Sequence, residues 1–123
     1  MKYLKPNLTK PSSIQKIIHQ INLALEPYEF SLSLNDFIEN DSSFFSKPFI
    51  FSESENCLIG ITFYYHSNKN ISVFLNYHHD EHFFVQNEIK FNELYRLTYN
   101  LLECLNNFKC LSKTEMVIKD IIQ

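Results

Sequence analysis

Glycine is nearly missing from this chain: Gly60 is the only one among 123 residues. That scarcity excludes whole classes of site. Phosphate-cradling loops, dinucleotide-binding turns and strained nucleophile elbows need glycine, because backbone must approach a ligand closely or take a positive φ. The P-loop, the GxGxxG turn and the GxSxG elbow are therefore impossible here. Arginine is equally scarce, with Arg96 alone. Bidentate recognition of phosphates and base edges leans on arginine, so no nucleic-acid partner is expected. Long apolar runs are missing too. The longest, Leu58 to Tyr65, falls far short of the ~20 residues that span a membrane. The N-terminal MKYLKPNLTKP carries lysines without the apolar stretch of a secretion signal. Cys57, Cys104 and Cys110 form an odd set with no CxxC pair, which predicts inert thiols in a reducing cytoplasm.

What is present is a core. Apolar residues make up 45% of the chain, with 12 Phe and 7 Tyr, so a single globular domain over 1–123 is expected. The abundance of Asn, Ile, Phe and Lys points to an AT-rich genome, bacterial or phage. The formal net charge of −3 is unevenly distributed: residues 1–25 carry +4 and residues 26–55 carry −6.

The pattern along the chain predicts an α+β fold. Ser12 and Gln15 match a capping box, and Ile14, Ile17, Ile18, Ile21 and Leu25 give a helix one apolar face. Glu26-Pro27 ends it. Tyr28, Phe30, Leu32 and Leu34 alternate with polar residues and predict a strand; 35–47 reads as a long acidic loop with room for a helical turn. Pro48 to Phe51 suits an edge strand, and Gly60 suits a bulge or a close backbone approach. Cys57 to Tyr65, Ile71 to Tyr77 and Phe83 to Gln86 complete a meander. Asn87 or Asn92 is placed to cap a long helix bearing Phe91, Leu94, Leu97, Leu101, Leu105 and Phe108, and Ser112 to cap a short terminal one. The expectation is an antiparallel β-meander of four to five strands packed on an N-terminal helix and a long C-terminal helix, plus the short terminal helix.

The densest polar cluster is His78-His79-Asp80-Glu81-His82. His78-x-x-Glu81-His82 resembles the HxxEH pattern of the inverted zinc peptidases, which implies two histidine ligands and a glutamate general base on a helix. Strand patterns flank the cluster on both sides, so a polar hairpin turn is expected and no metal or other cofactor is assigned. A small metal-dependent enzyme using His78, His79 and His82 is the least favoured of three readings. Neither Cys57 nor Cys104 has neighbours in sequence that would lower a thiol pKa, and no catalytic residues are expected.

The aromatic residues are more informative. If Ile59, Ile61, Phe63 and Val73 face the helices, the opposite face of the sheet shows Leu58, Thr62, Tyr64, His66, Phe74 and Asn76. That mixture is too apolar for a wet face and too polar for a core, and suits an interface. Either the 35–47 loop, a partner or a second copy covers it. Acids concentrated in 26–55 would steer a basic partner. The expected function is a small cytoplasmic protein-binding inhibitor, such as a bacterial immunity protein neutralising a basic nuclease-type toxin domain. The expected contact residues are Asp36, Glu39, Asp41, Glu53, Glu55, Tyr64 and Phe74. The runner-up is a homodimeric secretion-type chaperone that binds a secreted client.

Overall fold

Helix-forming and strand-forming patterns separate cleanly along the chain, and they assemble into two layers. The computed structural model describes residues 11–66, 69–77 and 80–122, without the side chains of 11, 12, 80–83 and 120–122. Helix α1 spans Pro11–Leu25 among the described residues. Strands β1 (Phe37–Asn40), β2 (Ser43–Ser46), β3 (Ile50–Ser52), β4 (Cys57–Tyr65), β5 (Asn70–Tyr77) and β6 (Asp80–Lys90) follow, and then helices α2 (Tyr95–Asn107) and α3 (Lys113–Ile122). The sheet is antiparallel in the order β1-β2-β4-β5-β6, with β3 pairing on β4.

β2 and β3 occupy one lane beside β4. Phe45 pairs with Thr62 and Ile50 with Ile59, so residues 46–49 on one side oppose only 60 and 61 on the other. The excess bulges over β4 at Gly60, and Ser46 Oγ accepts the Ile61 N–H at 2.9 Å in place of a ladder carbonyl. A Cβ on residue 60 would meet Ser46 O at 2.8 Å, so the lone glycine sits where backbones approach closely.

One face of the sheet meets α1 and α2. Ile59, Ile61, Phe63, Val73 and Leu75 are fully buried there against Ile17, Ile21, Leu25, Leu97, Leu101 and Leu105. Each such side chain contributes about 1.5–3 kcal/mol by leaving water. Phe63 lies between Phe37, edge-on at 5.5 Å, and Phe44, stacked at 5.2 Å. Thr98 Oγ1 donates to the Gln20 carbonyl at 2.9 Å and ties α2 to α1.

Three local expectations are revised. Residues 28–34 form no strand of the sheet: a 3-10 turn at Glu26–Tyr28 continues α1, and Glu29 takes a left-handed φ of 65°. The Asn22 amide then supplies the pairing a neighbouring strand would have given, accepting from Leu32 N–H and donating to Leu32 O, each at 2.8 Å. Segment 35–47 is mainly a hairpin, β1–β2, preceded by the 3-10 turn Leu34–Asp36; it widens the sheet instead of lying over it. Finally, β6 runs on to Lys90, so Asn87 is a strand residue. Leu94 occupies the N-cap of α2 without a side-chain cap. The capping of α3 is as expected: Ser112 Oγ accepts Glu115 N–H at 3.2 Å, and Glu115 Oε1 accepts Ser112 N–H at 2.8 Å.

Candidate functional site

Because side chains alternate along a strand, residues paired across lanes share a face. Opposite the helices, the pairs Ile38↔Phe45, Phe45↔Thr62, Thr62↔Phe74 and Phe74↔Phe84 define one continuous row across five strands. Its ends are open to solvent, with Ile38 47% and Phe84 64% exposed, while Thr62 at the centre is only 6% exposed. Tyr64 packs edge-on against Phe74 at 5.7 Å, and Phe74 packs on Phe84 at 4.6 Å. Leu58, on the same face of β4, is 47% exposed. Among the described residues, no helix lies over this aromatic row.

The polar groups of this face are satisfied within the chain. Thr62 Oγ1 donates to Asn76 Oδ1 at 2.8 Å. Ser72 Oγ lies 2.8 Å from His66 Nε2, accepts Glu88 N–H at 3.2 Å and is 3.3 Å from Asn87 Oδ1. The His66–Ser72 distance is that of a base and a nucleophile, but Ser72 is 3% exposed and its oxygen is already held by a backbone N–H. Glu88 has a left-handed φ of 59°, so the cluster knots β5 to a bulge in β6. Its role is structural.

Tyr64 and Phe74, two of the expected contact residues, are neighbours on this face. The expected acids are divided. Asp41, with φ 55°, makes the β1–β2 turn beside the C-terminal end of β4, where Tyr65 N–H donates to Ser42 O. Glu53 and Glu55 lie in the β3–β4 turn, at the N-terminal end of β4, about 25 Å away at strand spacing. Asp36 accepts Ser33 N–H at 2.8 Å. Glu39 pairs with Phe44 on the helix side of the sheet, and Glu53 forms an ion pair with Lys119 at 3.1 Å. Asp36, Asp41, Glu53 and Glu55 thus do not form one patch: Asp41 lies by the C-terminal end of β4, Glu53 and Glu55 by its N-terminal end, and Asp36 just before β1. Ile38, Phe45 and Phe84 were not among the expected contacts. The available signal for the first two was Asn40-Asp41-Ser42, a turn sequence between two short apolar runs. For Phe84, bulges in β6 break the alternation that would have shown it.

Other groups offer less chemistry. Burial pushes the Cys104 thiol up to about 11 and the Cys110 thiol up to about 12, and Cys57 is raised for the same reason. None is poised as a thiolate nucleophile. Two open grooves, about 590 and 380 Å³, meet at His19 on α1, lined by Lys16, Phe91 and Leu94 on one side and Asn22, Glu29 and Phe30 on the other. Among the described residues no three His, Cys, Asp or Glu side chains are grouped to hold a metal. His78, His79 and the side chain of His82 lie outside the described residues. No helix among the described residues is long and apolar enough to cross a membrane. Compared with known proteins, the chain matches no family model, no curated protein and no solved structure.

Proposed function

We propose that this protein acts by binding another protein, as a small cytoplasmic inhibitor of the immunity type that neutralises a basic toxin domain. The observation that carries the reading is the row Ile38–Phe45–Thr62–Phe74–Phe84, over which no described helix lies, with Tyr64 packed against it. Half-buried aromatics held rigid by a sheet lose little side-chain entropy on docking, and such residues dominate interface energetics. Asp36, Asp41 and Glu55 are exposed, and exposed acids accelerate encounter with a basic partner without being desolvated. The free thiols support a reducing compartment.

The test is capture of a partner from native lysate, followed by affinity measurement with the purified pair. Phe74→Ser should weaken binding by about 2 kcal/mol, roughly thirtyfold, mainly through faster dissociation. Asp36→Lys with Asp41→Lys should slow association and flatten its salt dependence. A partner bound equally well by Phe74→Ser and by Phe84→Ser would overturn the assignment of this face.

A further inference from the structure

We infer that α3 is a salt-released strap: it lifts from Phe30 and Phe51 as one unit, turning at Ser112, while the sheet, α1 and α2 stay folded. The motion needs no partner and goes beyond the proposed function.

The helices are held to the molecule in different ways. Ile14, Ile17, Ile18, Ile21, Ala24 and Leu25 of α1 are buried, as are Leu97, Leu101 and Leu105 of α2. In α3 no side chain from 113 to 119 is buried, and Val117 and Ile118 are 53% and 51% exposed. Helices in proteins draw most of their stability from packing an apolar face. Over these residues α3 is held by charge instead.

Two pairs of an acid and an aromatic ring each grip one end of it. Glu29 accepts Thr114 N–H at 2.8 Å, and Lys113 Nζ stands 5.6 Å over the ring of the adjacent Phe30. Toward the other end, Lys119 Nζ donates to Glu53 Oε2 at 3.1 Å and stands 5.5 Å over the Phe51 ring. Every charged group in these contacts is open to water. Glu29 and Lys113 are exposed, and the Lys119 and Glu53 side chains keep 38% and 46% of their surface. Exposed ion pairs and cation–π contacts are individually weak, and salt screens them while leaving apolar burial intact.

Backbone bonds fix the hinge. Glu53 N–H donates to Lys109 O at 3.1 Å and Leu111 N–H to Phe51 O at 2.8 Å, which fastens the chain to β3 as far as residue 111. Beyond it, the Ser112–Glu115 box and the 2.9 Å bond from Met116 N–H to Ser112 O are internal to α3 and its cap. They travel with the helix and tie nothing to the sheet. Once lifted, a helix of ten residues is marginal in water, so it frays and its amides exchange.

Amide hydrogen exchange on the full chain, at constant pH in about 0.1 and 1 M sodium chloride, tests this; the Debye length falls from about 10 to 3 Å between them. In low salt, residues 117–119 should exchange at least about 100-fold faster than Phe63 and Leu101, through openings that leave the core closed. High salt should lower protection at 117–119 by a further factor of about ten, while Phe63, Leu101 and Leu111 keep theirs. Glu53→Gln, with Lys119→Gln as the second variant, should lower protection at 117–119 several-fold in low salt and shrink the salt response. Protection at 117–119 equal to that at Phe63 overturns the strap, because α3 then opens only with the whole fold. So does protection there that salt leaves unchanged or raises, since apolar contact would then be what holds the helix. Loss of protection at Leu111 in step with Val117 overturns the hinge at Ser112. A full salt response in both variants removes Lys119 and Glu53 from the grip and overturns it as drawn.

Discussion

Ser46 and Gly60 are fitted to each other: the Ser46 carbonyl oxygen lies 2.8 Å from the point where a Cβ on residue 60 would stand. A backbone oxygen has no rotamer in which to retreat, so Gly60→Ala forces the β2–β3 bulge to move. The expected loss is about 2–3 kcal/mol. Urea unfolding should show a lower midpoint with an unchanged slope. A change within about 0.5 kcal/mol would show that the bulge yields freely.

Ser46 has a second duty, since its hydroxyl accepts the Ile61 N–H at 2.9 Å in a buried position. Ser46→Ala leaves that N–H without a partner at a cost of about 1–3 kcal/mol. Amide exchange at Ile61 should accelerate more than at Phe63, which keeps its ladder. Uniform acceleration along β4 would instead indicate general loosening.

Asn22 holds an extended segment to α1 by two bonds to the backbone of Leu32. Asn22→Ala should cost about 1–2 kcal/mol and expose the Leu32 amide to exchange. Unchanged protection at Leu32 would mean that Phe30 and Leu32 are held by packing alone.

Glu29 makes the docking of α3 sensitive to acid. Its carboxylate accepts Thr114 N–H at 2.8 Å, and hydrogen bonding from the Thr114 side chain and then from that N–H, with Lys113 nearby, holds its pKa below the ordinary 4.5. A carboxyl whose folded pKa is depressed stabilises the fold above its unfolded value and ceases to as pH falls through the folded one. Protection of the Thr114 amide should therefore fall in acid below pH 4.5. In Glu29→Gln it should be lower at neutral pH and nearly flat with pH. A parallel pH profile in both proteins would remove Glu29 from the account.

The thiols give the opposite dependence at high pH. Cys110 is raised by burial from 9.0 to about 12 and Cys104 to about 11, so folding favours their protonated forms. Stability from this source is complete below pH 9.0 and is lost as pH rises from there toward the folded values. At pH 8 the native protein should leave Cys110 unmodified by iodoacetamide on a timescale that labels the urea-unfolded chain fully. Rapid native labelling of Cys110 would show that this end of the core opens.

Much of the fold was legible because burial and period coincide. Cys57 to Tyr65 reads as a strand and forms one over the same residues, since alternate positions enter the core along its whole length. The Ser112–Glu115 box reads as a helix start because its two bonds are local. What failed depended on distant partners. Tyr28 to Leu34 alternates like a strand, yet Asn22, ten residues before Leu32, takes the place of a neighbouring strand. Phe37 to Ser46 is short and interrupted by Asp41, and its pairing depends on β4, far along the chain. The face carrying Tyr64 and Phe74 could be read from β4 and β5 alone. Its extension to Ile38 and Phe84 required the register of strands whose alternation is broken.

Three residues separate β5 from β6 in length: eight positions pair with eleven, through three shifts of register. A strand so irregular presents no even ladder of N–H and C=O groups to an incoming chain. At the other side of the sheet, β1 is only four residues long and carries Glu39, while Leu111 N–H and Lys109 O are bonded to Phe51 and Glu53 alongside β3. Growth by strand addition thus finds no long, regular template among the described strands. In a chain with 12 phenylalanines and a net charge of only −3, such backbone irregularity is the feature that works against fibril growth.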